Sequence, residues 1–444
     1  MTTKIRAFVL SFSDGQEVFY SGQTVSGKCL LSIDAPLKAR GVRLAIKGEA
    51  HVFWTKLKSR RKESSVGVDR GENYTEQYSS REVYFNLRTT LWGKGEKDRK
   101  GDNPVLPAGE HIMPFAFQLP SSGLPSSFEG EHGHIRYWLE ATVDRPWTND
   151  YKTKRAFTVH DVIDVNLDQM VVPIEANDER TLCCFCCKSG PLYVEARLDR
   201  CGYCPGEAIA ISTCVRNFTN REMRGTRARI VQTAEYFAQG SRHKSMREVA
   251  LTQGVPIQSG LTDEWHNRLM TVPAIPPTTL QCRIIRITYI VEISVVVPNG
   301  VDVTLELPIT IGTVPFRRSH PPRTRGGGGG GHHHNHHHQQ RRHGGGGGGD
   351  SQPPTYAEAM GNTVTIGEPN ERYVIGDLRY TPLYAYVHDY HFHPSPPSAS
   401  SSSSTSSSAQ AGGGGSYQQA RAPNERTRLI QDASGGGSGG GHTS

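Results

Sequence analysis

At 444 residues and 35% apolar content, the chain has room for two or three domains but too few apolar groups for its whole length to bury a core. Its net charge of +7 is spread out and accompanies no RNA- or DNA-binding motif, so nucleic acid is not an expected partner. No run of 18 apolar residues is present to span a bilayer, and Phe8-Val9-Leu10 ahead of polar Ser11 is too short for a signal-peptide core. Thr2 departs from the N-myristoylation pattern, and the final His-Thr-Ser departs from a prenylation box. Nine cysteines, an odd number without a secreted-scaffold rhythm, predict a reducing, cytosolic setting with mostly free thiols.

Period-two alternation dominates residues 5–316. Val42, Leu44 and Ile46 alternate with Arg43, Ala45 and Lys47. Ile135, Tyr137, Leu139, Ala141 and Val143 alternate with Arg136, Trp138, Glu140, Thr142 and Asp144. Each pattern is a strand with one buried face. Such signals recur between Gly, Pro, Asn and Asp turns, with no long helical pattern. The expected fold class is therefore all-β, built from antiparallel β-sandwiches.

The two halves of this region resemble each other. Ser21-Gly22-Gln23 precedes a strand at Val25–Leu31, and Pro205-Gly206-Glu207 precedes one at Ile209–Val215. Leu124-Pro125-Ser126-Ser127 leads into Ile135–Ala141, as Ile275-Pro276-Pro277-Thr278 leads into Ile287–Ile293. The offset falls from 184 to 152 residues between the two landmarks, which places insertions in the first half, around 55–104. A duplicated sandwich explains both the order and the offset. The expected organisation is a first domain at 1–165, a joint at 166–190 carrying a cysteine cluster, a second domain at 191–316 and a disordered tail at 317–444. In the tail, glycine runs at 326–331 and 344–349 bracket a histidine tract, and Ser- and Gly-rich stretches follow. Two islands interrupt it, at 351–390 and at Glu425–Ile430.

The first island opens with Pro353-Pro354-Thr355-Tyr356. Adjacent prolines fix φ near −65° and hold the backbone in polyproline II before a partner arrives, so little ordering entropy remains to be lost on binding. With Tyr356 three residues after the first proline, this is the Pro-Pro-x-Tyr ligand pattern of WW domains. Pro382 and Tyr384, within Thr381-Pro382-Leu383-Tyr384, form a weaker second candidate that lacks the leading proline.

Several markers in fixed order resemble the arrestin-domain-containing proteins of the α-arrestin family: Tyr20–Gly27, Pro114–Pro120, Leu124–Gly130, Ile135-Arg136-Tyr137, Asp144-Arg145-Pro146-Trp147 and Cys183-Cys184-Phe185-Cys186-Cys187. The resemblance covers residues 5–316 plus Pro353–Met360. It implies two tandem arrestin-like β-sandwiches and a cytosolic adaptor. Such an adaptor joins the cytoplasmic parts of membrane proteins to WW-containing HECT-type ubiquitin ligases, at the plasma membrane and endosomes, and promotes endocytosis. A thioredoxin-binding redox or signalling scaffold of the same fold is the alternative it implies.

No catalytic signature and no cofactor site is legible; the glycine runs are spacers, and no nucleophile elbow is present. Cys183, Cys184, Cys186 and Cys187 are candidates first for unmodified thiols, then for S-palmitate, then for zinc. Cys201-Gly202-Tyr203-Cys204 has dithiol spacing, but it runs into a Pro-Gly turn rather than a helix, which argues against redox catalysis. The histidines at 332–334 and 336–338 lie between glycine runs without preorganisation for a metal. Glu425, Leu429 and Ile430 fit the acidic dileucine pattern recognised by clathrin adaptors, and Tyr380–Leu383 and Tyr384–Val387 fit a tyrosine sorting pattern. Lys56, Lys58, Arg60, Arg61 and Lys62 form a basic run, which reads as a solvated loop or as a contact for anionic lipid or acidic cargo tails. No lysine follows Lys244, which makes it the candidate ubiquitin acceptor of the second domain.

Overall fold

The computed structural model describes residues 5–62, 70–95, 98, 101–184, 187–317, 363–367 and 373–387, without the side chains of 60–62, 70–72, 183–184 and 187–189. The first domain contains β1 (Ile5–Phe12), β2 (Val18–Tyr20), β3 (Thr24–Ile33), β4 (Leu37–Lys38), β5 (Gly41–Lys62), β6 (Arg70–Gly93), β7 (Val105–Leu106), β8 (Gly109–Gln118), β9 (Phe128–Gly130), β10 (Gly133–Asp144) and β11 (Tyr151–His160). The second contains β12 (Ile174–Cys184), β13 (Cys187–Leu198), β14 (Gly202–Tyr203), β15 (Ala208–Asn217), β16 (Thr226–Ala238), β17 (Ser241–Gln253), β18 (Thr262–Thr271), β19 (Ile285–Val295) and β20 (Val303–Ile311). Among the described residues the only helical elements are two short 3-10 turns, at Ser13–Gly15 and Asp168–Met170.

Strand order shows the duplication directly. One sheet of the first domain runs β1-β3-β8, and its counterpart runs β12-β13-β15-β18. The other runs β2-β11-β10-β5-β6, and its counterpart runs β14-β20-β19-β16-β17. In both, the short first strand joins the last long strand in parallel, β2 with β11 and β14 with β20, while the remaining pairs are antiparallel. The inserted residues lie where the offset placed them: β5 and β6 are 22 and 24 residues long, against 13 each for β16 and β17.

Alternation becomes burial. Ile135, Tyr137, Leu139, Ala141 and Val143 of β10 face inward and are fully buried. Removing side chains of this kind from water contributes about 1.5–3 kcal/mol for each large one. Tyr137 packs against Phe85 and Phe157 and donates its hydroxyl to the Pro125 carbonyl at 2.7 Å. Its counterpart Tyr289 donates to the Pro276 carbonyl at 2.6 Å. Gly48 is required beside this ring, because a Cβ there would lie 2.6 Å from Tyr137. The register of β5 against β6 shifts at the same point, between Gly48 and Glu49.

The outward face of β10 is not simply solvated. Arg136 grips Glu129 through two bonds of 2.5 and 2.7 Å, and Glu140 lies between Lys47 and Lys154. Ile366 and Gly367 from the tail line one cavity with His51, His134, Trp138 and Lys154 of this layer. Burial, then the nearby Arg136, hold His134 down to about 3, so its ring is neutral at physiological pH.

Two segments carry more structure than their sequence suggests. Residues 166–190, expected as the joint, contain β12, Ile174–Cys184, which pairs with β13. The chain between the sandwiches is held at its start: Ile163 N–H donates to Thr313 Oγ1, whose hydroxyl donates to the Asp161 carbonyl. Nor is the tail free throughout. Residues 363–367 and 373–387 lie on the domains, with β21 (Val364–Thr365) paired to β22 (Arg379–Tyr380).

Candidate interaction sites

Residues 373–387 form a strap. At its start Val374 bridges Lys152 of β11, with Lys152 N–H donating to the Tyr373 carbonyl and Ile375 N–H donating to the Lys152 carbonyl. The Tyr373 ring meets Tyr151 edge-on. Asp377 and Arg379 then form an exposed ion pair that holds the Asp377 carboxyl down at about 2.

The next turn carries the apolar contacts. Tyr380, Leu383 and Tyr384 are buried, Tyr384 completely. Leu383 N–H donates to Thr158 Oγ1 at 3.0 Å, and the Tyr384 hydroxyl donates to the Ser127 carbonyl at 3.1 Å. Ser127 is itself fixed to β11, accepting from Val159 N–H through Oγ and donating its own N–H to the Val159 carbonyl. The turn Leu124-Pro125-Ser126-Ser127 thus builds the wall on which Tyr384 rests. At the far end Val387 N–H donates to the Pro205 carbonyl of the second domain at 2.8 Å. Gly206 permits that approach: its φ is +90°, and a Cβ there would lie 2.2 Å from the Val387 carbonyl oxygen.

In this conformation the geometry leaves Pro382 and Tyr384 unavailable as a second WW ligand. A WW groove needs the tyrosine ring free, and Tyr384 is enclosed with its hydroxyl already bonded. The same enclosure removes Tyr380–Leu383 and Tyr384–Val387 from use as exposed sorting signals in this conformation. Sequence patterning missed the strap because Gly376, Pro382 and scattered tyrosines show no period. The spacing of Tyr380, Leu383 and Tyr384 was the one available signal.

The remaining candidates are placed as follows. Pro353, Pro354 and Tyr356 lie outside the described residues, as do Cys186, the histidine tract, Glu425, Leu429 and Ile430. Cys183 and Cys184 end β12 and Cys187 opens β13, with Cys184 opposite Cys187 in the ladder. Among the described residues no group of three or more His, Cys, Asp or Glu could hold a metal ion. Cys201 donates its thiol to the Gln169 carbonyl, Cys204 is buried, and burial pushes both thiols up, against the thiolate that redox exchange needs. Lys244 is exposed on the edge strand β17, opposite Glu235. Lys56 and Lys58 lie over the Tyr78 ring, and Lys58 also pairs with Glu76, so these two lysines sit on an ordered ribbon rather than in a loop. Among the described residues no helix is long and apolar enough to cross a membrane.

Comparison with known proteins agrees with this architecture. Residues 8–166 match the N-terminal domain of arrestin (or S-antigen), and residues 188–316 match the C-terminal domain. An arrestin domain-containing protein 17 from Caenorhabditis elegans is 35% identical over 318 residues, covering 69% of this chain and 70% of that protein. Arrestin domain-containing protein 4 of Mus musculus is 34% identical over 70% of this chain and 73% of its own length. The Homo sapiens thioredoxin-interacting protein is 29% identical over 70% of this chain and 76% of its own length.

Proposed function

The chain belongs to the arrestin family, in its α-arrestin branch, and on that premise we propose that it is an adaptor recruiting WW-domain HECT-type ubiquitin ligases to membrane-protein cargo. The observation that carries the reading is Pro353-Pro354-Thr355-Tyr356, placed beyond two arrestin domains in a segment rich in Gly and polar residues. The proline pair presents a preformed ligand, and Tyr356 supplies the ring that a WW groove grips. Ubiquitin transfer belongs to the ligase. This protein contributes proximity, raising the concentration of cargo lysines near the ligase and so promoting endocytosis and transport. It acts on the cytoplasmic side of the plasma membrane and endosomes, where the cytoplasmic parts of its cargo and clathrin adaptors lie within reach.

The redox-scaffold alternative finds no support at Cys201 and Cys204, whose thiols are held protonated. Titration of the full chain with an isolated WW domain tests the proposal. Tyr356→Ala is expected to abolish binding while the β-domains keep their amide protection; binding equal to wild type sinks the recruitment model. Phosphorylation of Tyr356 is expected to weaken the same binding, because it places charge in an apolar groove.

A further inference from the structure

His160, the last residue of β11, is fully buried, and neither ring nitrogen meets a partner at full hydrogen-bonding geometry, the backbone of Leu383 being the polar group that comes nearest. The strap closes one side of it: the Tyr384 ring lies 6.0 Å from the imidazole, and the Tyr20 ring of β2 lies 5.8 Å away. Such a group is neutral while enclosed, because a charged imidazole without water or a counter-ion is strongly disfavoured. We propose that Tyr380–Val387 is a reversible latch across the junction of the two domains, closed while His160 is neutral and opened by its protonation.

The groups around the ring fit that role. From the strap come Tyr384 and the backbone of Leu383, the one polar group near enough to favour the charged ring. From β2 comes Tyr20, behind which lies Cys204 of the second domain. On its own strand Thr158 is bonded to Leu383, and next in the chain comes Asp161, whose own carboxyl is pushed up by burial. No charged side chain contributes to the His160 shift; burial lowers it to about 4.

The sign follows from linkage. An imidazole held at about 4 when closed and returning to about 6.5 when water reaches it favours closure fully above pH 6.5 and progressively less as pH falls towards 4. At pH 5.5 the closed-to-open ratio is expected to be about tenfold lower than at pH 7.5. The buried carboxyl of Glu129, raised by burial and paired with Arg136, would act in the opposite sense if opening exposed it, so the imidazole contribution has to be isolated.

Hydrogen exchange of the full-length protein at pH 7.5 and 5.5, corrected for intrinsic rates, does this. Wild type is expected to lose about tenfold of its protection in 380–387 at the lower pH, with β16 and β19 unchanged. His160→Gln is expected to abolish that difference. Tyr384→Ala supplies the open reference at both pH values. No loss in wild type, or an equal loss in His160→Gln, overturns the latch. Histidine NMR gives a second reading that does not depend on the His160→Gln variant folding: the His160 midpoint should rise from about 4 in wild type to about 6.5 in Tyr384→Ala, and coincident midpoints reject the proposal.

Discussion

The buried ion pair of the second domain is the contact whose loss should cost most. Arg200 donates to Glu207 Oε2 at 2.8 Å, with 5% of the arginine side chain and none of the glutamate exposed. Its Nε also donates to the Gly202 carbonyl at 2.9 Å, and its guanidinium lies over the rings of Tyr203 and Phe316. Glu207 accepts in addition from the N–H groups of Cys204 and Phe316. Arg200→Leu keeps much of the apolar stem but leaves a carboxylate enclosed with two backbone donors and no counter-charge. Breaking a pair this way costs about 3–5 kcal/mol. Arg197→Leu is the matched control. Arg197 lies on the same domain and pairs with Glu175 in the open, with more than half of each side chain exposed, so its loss should cost under about 1 kcal/mol. The readout is native-state hydrogen exchange of the full chain at Tyr203, Thr310 and Ile311, whose ladder adjoins the pair. If Arg200→Leu lowers their opening free energy no more than Arg197→Leu does, the pair is not what closes this end of the sandwich.

Tyr137→Phe and Tyr289→Phe each remove the donor to a buried proline carbonyl, and each should destabilise its own domain by about 1–3 kcal/mol. Because the two hydroxyls share no hydrogen-bond partner, the double variant should show the sum within about 0.5 kcal/mol in exchange measured on β10 and β19; a larger coupling would contradict independent action of the two bonds. Lys244→Arg should remove a ubiquitin from the second domain when the ligase is supplied, read by mass spectrometry of the modified chain. An unchanged pattern excludes Lys244 as the main acceptor.

Much of the fold was legible because a buried face imposes a period of two that any strand must carry. Val42, Leu44 and Ile46, and the five inward residues of β10, read directly as core, and the shifting offset between the halves located the longer hairpin. Long-range chemistry was less visible. Glu207 stands in the sequence only as a landmark ahead of a strand, and nothing local says that Arg200, seven residues earlier, comes back to meet it in the core. The strap was hidden for a related reason. Its affinity comes from three side chains and from backbone donors reaching Thr158 and Pro205, and such contacts leave no periodic trace in the residues that make them. His160 gave no sequence signal at all: its burial beside Tyr384 rests on a contact between residues more than 200 positions apart.

The strap also changes what the proposed ligase motif can reach. Tyr356 precedes Thr363 by seven residues, so while 363–387 is seated a partner gripping that tyrosine is held within roughly 25 Å of the first domain. If 363–367 leaves as well as the strap, chain length alone allows the motif roughly 130 Å from Arg317, 39 residues back. Local concentration falls with the volume searched rather than with the distance alone. On the proposed function a seated 363–387 would direct the ligase to lysines near the first domain, whereas its release would trade that focus for range. Cargo of different sizes would be modified under different states of the same contact.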